Sequence, residues 1–130
     1  MGHRPFRFVV RVRVDEIAAA HFLPGYGGDC ARVHGHNWGF EAEIGADSLE
    51  RDMVVDFVEI KAIFKALDHR LLNDIPDLVT EGRSPTCERL AEWLAGKIQS
   101  LLDTRSNRPR LLSLTVDETS RNRLVFTPEP

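Results

Sequence analysis

The stretch His34-Gly35-His36-Asn37-Trp38-Gly39-Phe40-Glu41-Ala42-Glu43-Ile44 alternates without a break. His34, His36, Trp38, Phe40, Ala42 and Ile44 fall on one face, and Gly35, Asn37, Gly39, Glu41 and Glu43 on the other. That period of two is what a half-buried strand requires. Toward the N-terminus, Pro24, Gly25, Gly27 and Gly28 punctuate a loop. Beyond it, Phe8, Val10, Val12 and Val14 alternate with Arg7, Arg11 and Arg13, so 6–14 reads as another strand that pairs with the first across this loop.

Toward the C-terminus the period changes after Asp56. Phe57, Ile60, Ile63, Phe64 and Leu67 recur every three or four residues, and Asp56 with Glu59 resembles a capping box. This first helix runs into Leu67-Asp68-His69. A second helix follows the Ser84-Pro85 start, with Cys87, Leu90, Ala91, Leu94, Ile98 and Leu101 on one face. The pattern puts Cys87 in the core. Asn107 and Pro109 end the region, and Leu112, Leu114, Val116 and Glu118 alternate in a third strand. The Ser120-Arg121-Asn122 turn leads to a short fourth strand over 124–127. The order ββααββ predicts a single α+β domain over 1–130: an antiparallel four-stranded sheet with two helices on one face. The other face and the edges need cover, which predicts an oligomer.

Composition narrows the function classes. Of 130 residues, 42% are apolar and 28% charged, a globular balance. The net charge of −3, with basic residues scattered among acidic ones, favours neither nucleic acid nor a membrane surface. The Arg-rich alternating start reads as neither a secretory signal nor a membrane span. Cys30 and Cys87 are too few for a disulfide framework, so the cytoplasm is the expected compartment. In that compartment a loop cysteine such as Cys30 reads as catalytic or metal-linked.

His34 and His36, two apart on a strand, point to the same face with only Gly35 between them. His21 lies at the end of the preceding strand. Three imidazoles suit zinc and leave a fourth position for water or substrate. Cys30, in the loop before the pair, is either a thiolate base or nucleophile beside the metal, or the fourth ligand of a closed structural site. Asp68 beside His69 reads either as a carboxylate fixing an imidazole tautomer or as an ordinary helix-end pair. Glu118 on an apolar strand face requires a partner: a buried Arg, or a bound ligand with N–H donors. Gly25-Tyr26-Gly27 is neither a dinucleotide fingerprint nor a phosphate loop. His3 reads as a disordered terminal residue.

Together these segments resemble the family of 6-pyruvoyl-tetrahydropterin and 6-carboxy-tetrahydropterin synthases. The matching stretches are Ala19-Ala20-His21-Phe22-Leu23, Cys30-Ala31-Arg32-Val33-His34-Gly35-His36-Asn37, and Val55-Asp56-Phe57 with Ile60-Lys61. Leu67-Asp68-His69 with Leu72-Asn73, Pro85-Thr86 with Glu88, and Glu118-Thr119 follow in family order, so the likeness spans about 8–127. The resemblance implies a tunnelling fold whose subunits join sheet edge to sheet edge into barrels, as a hexamer of two trimers with sites between subunits. It implies zinc on His21, His34 and His36, Cys30 as the proton-transferring base, Asp68 and His69 as its assistants, and Glu118 as anchor of the pterin ring and part of the proton relay.

The substrate so implied is 7,8-dihydroneopterin triphosphate. The spacing of three residues between Cys30 and His34 looks like the carboxy-type enzymes, which release acetaldehyde and form the precursor of 7-deazaguanines and queuosine. Thr119-Ser120-Arg121-Asn122 looks nearer the pyruvoyl type. The remaining readings are a 6-pyruvoyl-tetrahydropterin synthase or related aldolase using the same zinc and thiol, and a non-catalytic zinc-stabilised assembly closed by Cys30.

Overall fold

A computed structural model describes residues 5–129; the reading of His3 lies outside them. The chain runs β1 (Phe8–His21), β2 (His34–Ala46), α1 (Phe57–Lys65), β3 (Arg70–Leu71), α2 (Cys87–Leu102), β4 (Arg110–Thr119) and β5 (Asn122–Phe126). The expected ββααββ order is present. One sheet has the order β3-β1-β2-β4-β5. The four long strands are antiparallel, as expected, but the sheet has a fifth member: two-residue β3 runs parallel to β1 at Ala19 and Ala20. A two-residue strand has no period to read, which is why the sequence gives no sign of it.

The inner face of β2 follows its alternation: Trp38, Phe40, Ala42 and Ile44 are fully buried. Trp38 stacks on Phe40, and Phe40 on Phe64 of α1 with ring centroids 5.2 Å apart, a column from sheet to helix. Leu90, Ala91, Leu94 and Ile98 of α2 complete the core, as their spacing predicts. The third strand departs from its pattern. Leu111 rather than Leu112 is buried, because a register shift opposite Glu43 and Ile44 exchanges the faces.

Both helix starts differ in detail. Asp56 accepts from the backbone N–H of Val58 at 2.9 Å, but Glu59 pairs with Arg105 instead of closing a capping box. The second helix begins after Thr86, whose hydroxyl accepts from Arg89 N–H, so Ser84-Pro85 lies just outside it.

The outer sheet face is ionic. Arg13 reaches Asp117 at 2.7 Å and Asp15 at 2.8 Å, Asp117 also holds Arg123 at 2.8 Å, and Arg11 pairs with Glu43 across β1 and β2. Gly39 lies directly beneath this cluster, where a Cβ would meet the Arg13 guanidinium at 2.5 Å and push the ion pairs aside.

Candidate metal centre

β1 reaches the site by way of an irregularity. Val14 faces Phe40 but Ile17 faces Trp38, so one extra residue bulges the strand near Glu16, whose φ is +61°. After the bulge Ile17, Ala19 and His21 point inward, and His21 pairs directly with His34. The Asn73 side chain clamps Phe22, accepting from its N–H and donating to its carbonyl, both at 2.9 Å. The strand end carrying His21 is thereby fixed.

His21, His34 and His36 converge so that one ring nitrogen of each lies within 4.8 Å of the others. His21 is only 1% exposed. Its Nδ1 donates to the Pro85 carbonyl at 2.8 Å, and His34 Nδ1 to the Arg32 carbonyl at 2.7 Å. A carbonyl only accepts, so both protons sit on Nδ1 and both Nε2 lone pairs are free. The Nε2 atoms of His21 and His36 are buried without a hydrogen-bond partner. Such atoms are costly unless something occupies the space between them. Burial lowers the His36 pKa, which favours the neutral, ligating form. These residues fit a bound metal ion. Cys30 is not a member of the group, so the closed site with a fourth thiolate ligand is not the arrangement seen.

Glu118 sits at a second register shift, between Asp117 and Thr119, and its carboxylate faces the histidines. Oε1 is 3.7 Å from His36 Nε2, and Oε2 is 4.0 Å from His21 Nε2. Its hydrogen-bond partner within the chain is not an Arg: the thiol of Cys87 donates to Oε2 at 3.0 Å. Cys87 was expected in the core. It is half-buried against the core, and its sulfur belongs to the site. Burial and the neighbouring carboxylate push its pKa well up, so it remains a thiol.

Cys30 is exposed, in the short 3-10 turn Gly28–Ala31. Asp68 accepts from Ala18 N–H at 2.9 Å, and that bond above all holds its carboxyl below the ordinary range. Its other oxygen lies 3.1 Å from His69 Nδ1, so the pair is formed. His69 adopts φ +61°, an unfavourable conformation for a non-glycine residue, and its N–H is tied to the Ala18 carbonyl. The ring is 83% exposed and lines a cleft of about 470 Å³ with His36, Asn37 and Arg70. Cys30 is not among the residues lining that cleft. Within one chain, then, the histidines, Glu118 and Cys87 meet, while Cys30 stays apart in solvent.

Sequence reasoning missed the Pro85 and Arg32 carbonyls, the Asn73 clamp and the Cys87 thiol. A backbone carbonyl leaves no signature in a sequence, and the helical spacing of Cys87 conceals its contact with Glu118.

Residues 10–129 match the family described as 6-pyruvoyl tetrahydropterin synthase. The chain belongs to this family. It is 35% identical over 118 residues to the 6-carboxy-5,6,7,8-tetrahydropterin synthase of Bacillus subtilis, covering 87% of this chain and 81% of that one. The protein of the same description from Synechocystis is 36% identical over 111 residues, 78% and 79% of the two chains. In structure the chain resembles the 6-pyruvoyl tetrahydropterin synthase of Caenorhabditis elegans, with a TM-score of 0.70, 21% identity, and coverage of 98% of this chain and 100% of that one. At that identity the likeness is one of fold, and the fold is the family's tunnelling fold.

Proposed function

We propose that this family member is a zinc-dependent 6-carboxy-5,6,7,8-tetrahydropterin synthase. It takes 7,8-dihydroneopterin triphosphate and water to 6-carboxytetrahydropterin, acetaldehyde and triphosphate, a step toward 7-deazaguanines and queuosine. The observation that carries the reading is the convergence of three imidazoles, two of them fixed in tautomer by backbone carbonyls, with the Glu118 carboxylate beside them. The naming of the Bacillus and Synechocystis relatives supports the carboxy-type product, as does the short Cys30–His34 spacing.

In this reading His21, His34 and His36 hold the metal, which supplies Lewis-acid polarisation of the substrate's side-chain hydroxyls. Glu118 accepts hydrogen bonds from the N–H edge of the pterin ring and fixes its position. Cys30 accepts a proton as thiolate and returns it elsewhere on the substrate. Asp68, ionised, orients His69 to assist that transfer.

The exposure of Cys30 and of the Asp68–His69 pair supports a site completed by a second copy of the chain. The outer edge of β1 beyond β3 and the free edge of β5 suit strand pairing between copies. The hexamer of two trimers follows from the family resemblance, and a cytoplasmic location away from nucleic acid and membranes from the composition and charge. Among the described residues no helix is long and apolar enough to cross a bilayer.

Mass spectrometry of the products tests the assignment. 6-Carboxytetrahydropterin with acetaldehyde is the expected result. A pyruvoyl product, which the Thr119-Ser120 turn would favour, moves the chain to the other branch of the family. No consumption of the triphosphate by a zinc-loaded oligomer ends the reading.

A further inference from the structure

We infer that Cys87 is a positioning residue that holds Glu118 back from the metal and keeps the fourth coordination position open. The inference rests on the three histidines being a metal site. Glu118 faces the two buried imidazole nitrogens that lack a partner, at 3.7 Å from His36 and 4.0 Å from His21. Ligands sharing a tetrahedral zinc lie roughly 3.3 Å apart, and a carboxylate is a good zinc ligand. A small rotation would therefore bring Glu118 onto the ion. It would then fill the position a substrate requires and lose its freedom to bind anything else.

The group opposing that rotation is the Cys87 thiol, which donates to Oε2 at 3.0 Å. Burial and the carboxylate keep the proton on sulfur, so the donor persists across the neutral range. Cys87 is the first residue of α2, and Pro85, two residues earlier, accepts the proton of His21 Nδ1. One short segment thus orients a ligand and restrains its competitor. The restraint falls where the chain needs it, because the register shift at Glu118 has already turned this residue out of the regular ladder.

The test uses the full oligomeric protein. Zinc affinity is measured by competition with a chromophoric chelator, and the open position by titrating azide into the cobalt-substituted protein and following its visible spectrum. Cys87→Ala should bind zinc about tenfold more tightly, the lower end of the usual effect of an outer-shell group, and its cobalt spectrum should no longer respond to azide. Cys87→Ser, which keeps a donor, should behave as native. Adding Glu118→Gln to Cys87→Ala should restore the azide response. Cys87→Val provides the same loss of donor without opening a cavity should the alanine variant fold poorly. Native zinc affinity and azide response in both Cys87→Ala and Cys87→Val would overturn the inference. A native protein that holds no zinc overturns it together with the metal site. A native protein that binds zinc and azide but turns over no pterin overturns the proposed reaction alone, and the Cys87 variants still decide this inference.

Discussion

His21 Nδ1 donates to the carbonyl of Pro85 at 2.8 Å, tying the end of β1 to the start of α2 across 64 residues of chain. The bond sets the tautomer of a ring that is almost wholly buried, and it aims Nε2 at His34 and His36. It links fold and site directly: the docking of a helix on a sheet determines which nitrogen is free to ligate. His34 repeats the device with the Arg32 carbonyl.

Cys30 lies outside the histidine group. Cys30→Ala should therefore keep its full zinc content while turnover falls by at least about 100-fold, the usual size of an acid–base contribution. Metal analysis and steady-state kinetics on one preparation check this. Zinc lost along with activity would make Cys30 a ligand.

Glu118 bonds to a thiol and not to a buried Arg, so neutralising it leaves no orphaned cation. Glu118→Gln should melt within a few degrees of the native protein. Pterin binding should weaken by about ten- to a hundredfold, from loss of a charge-assisted grip of roughly 1.5–3 kcal/mol. Calorimetric titration with a pterin, beside a thermal melt, separates the two effects. A large stability loss with unchanged affinity would remove Glu118 from the binding site.

Asp117 links Arg13 and Arg123 on the outer sheet face, and these cations, Arg123 foremost, hold its carboxyl below the ordinary carboxylate range. A carboxyl depressed in the folded state binds fewer protons than in the unfolded chain. Its stabilisation is full above pH 3.8 and is lost as pH falls through the lower folded value. Asp117→Asn should be less stable at neutral pH, and its stability should fall less steeply in acid below pH 3.8. Denaturant melts from pH 2 to pH 7 measure the slope; parallel curves would mean that Asp117 is not the group responsible.

Phe64 joins α1 to the aromatic column that ends under the histidines. Phe64→Ala should cost about 3–5 kcal/mol, as for other fully buried phenylalanines. Urea unfolding gives the value, and a cost below about 1 kcal/mol would mean that the column contributes little to the packing of the core.

The strands and helices were legible where a period runs for several turns, as in β2 and α2. They were not legible at the irregularities, and the site depends on those. The bulge near Glu16 sets the face of His21, the register shift before Thr119 aims Glu118, and β3 has only two residues. The histidine group itself could be anticipated, because His-x-His on a strand puts two imidazoles on one face and the hairpin brings the third beside them. The role of Cys87 could not, since a thiol at a helical core spacing looks the same whether or not a carboxylate lies beside it.

The measurement closest to the central claim is the zinc content of the native protein, His34→Ala and His36→Ala, each purified as a folded oligomer and dialysed against free zinc. The native chain should hold about one zinc per subunit, and each variant should hold far less, because two remaining imidazoles bind the ion weakly. Full zinc occupancy in both variants would contradict the account.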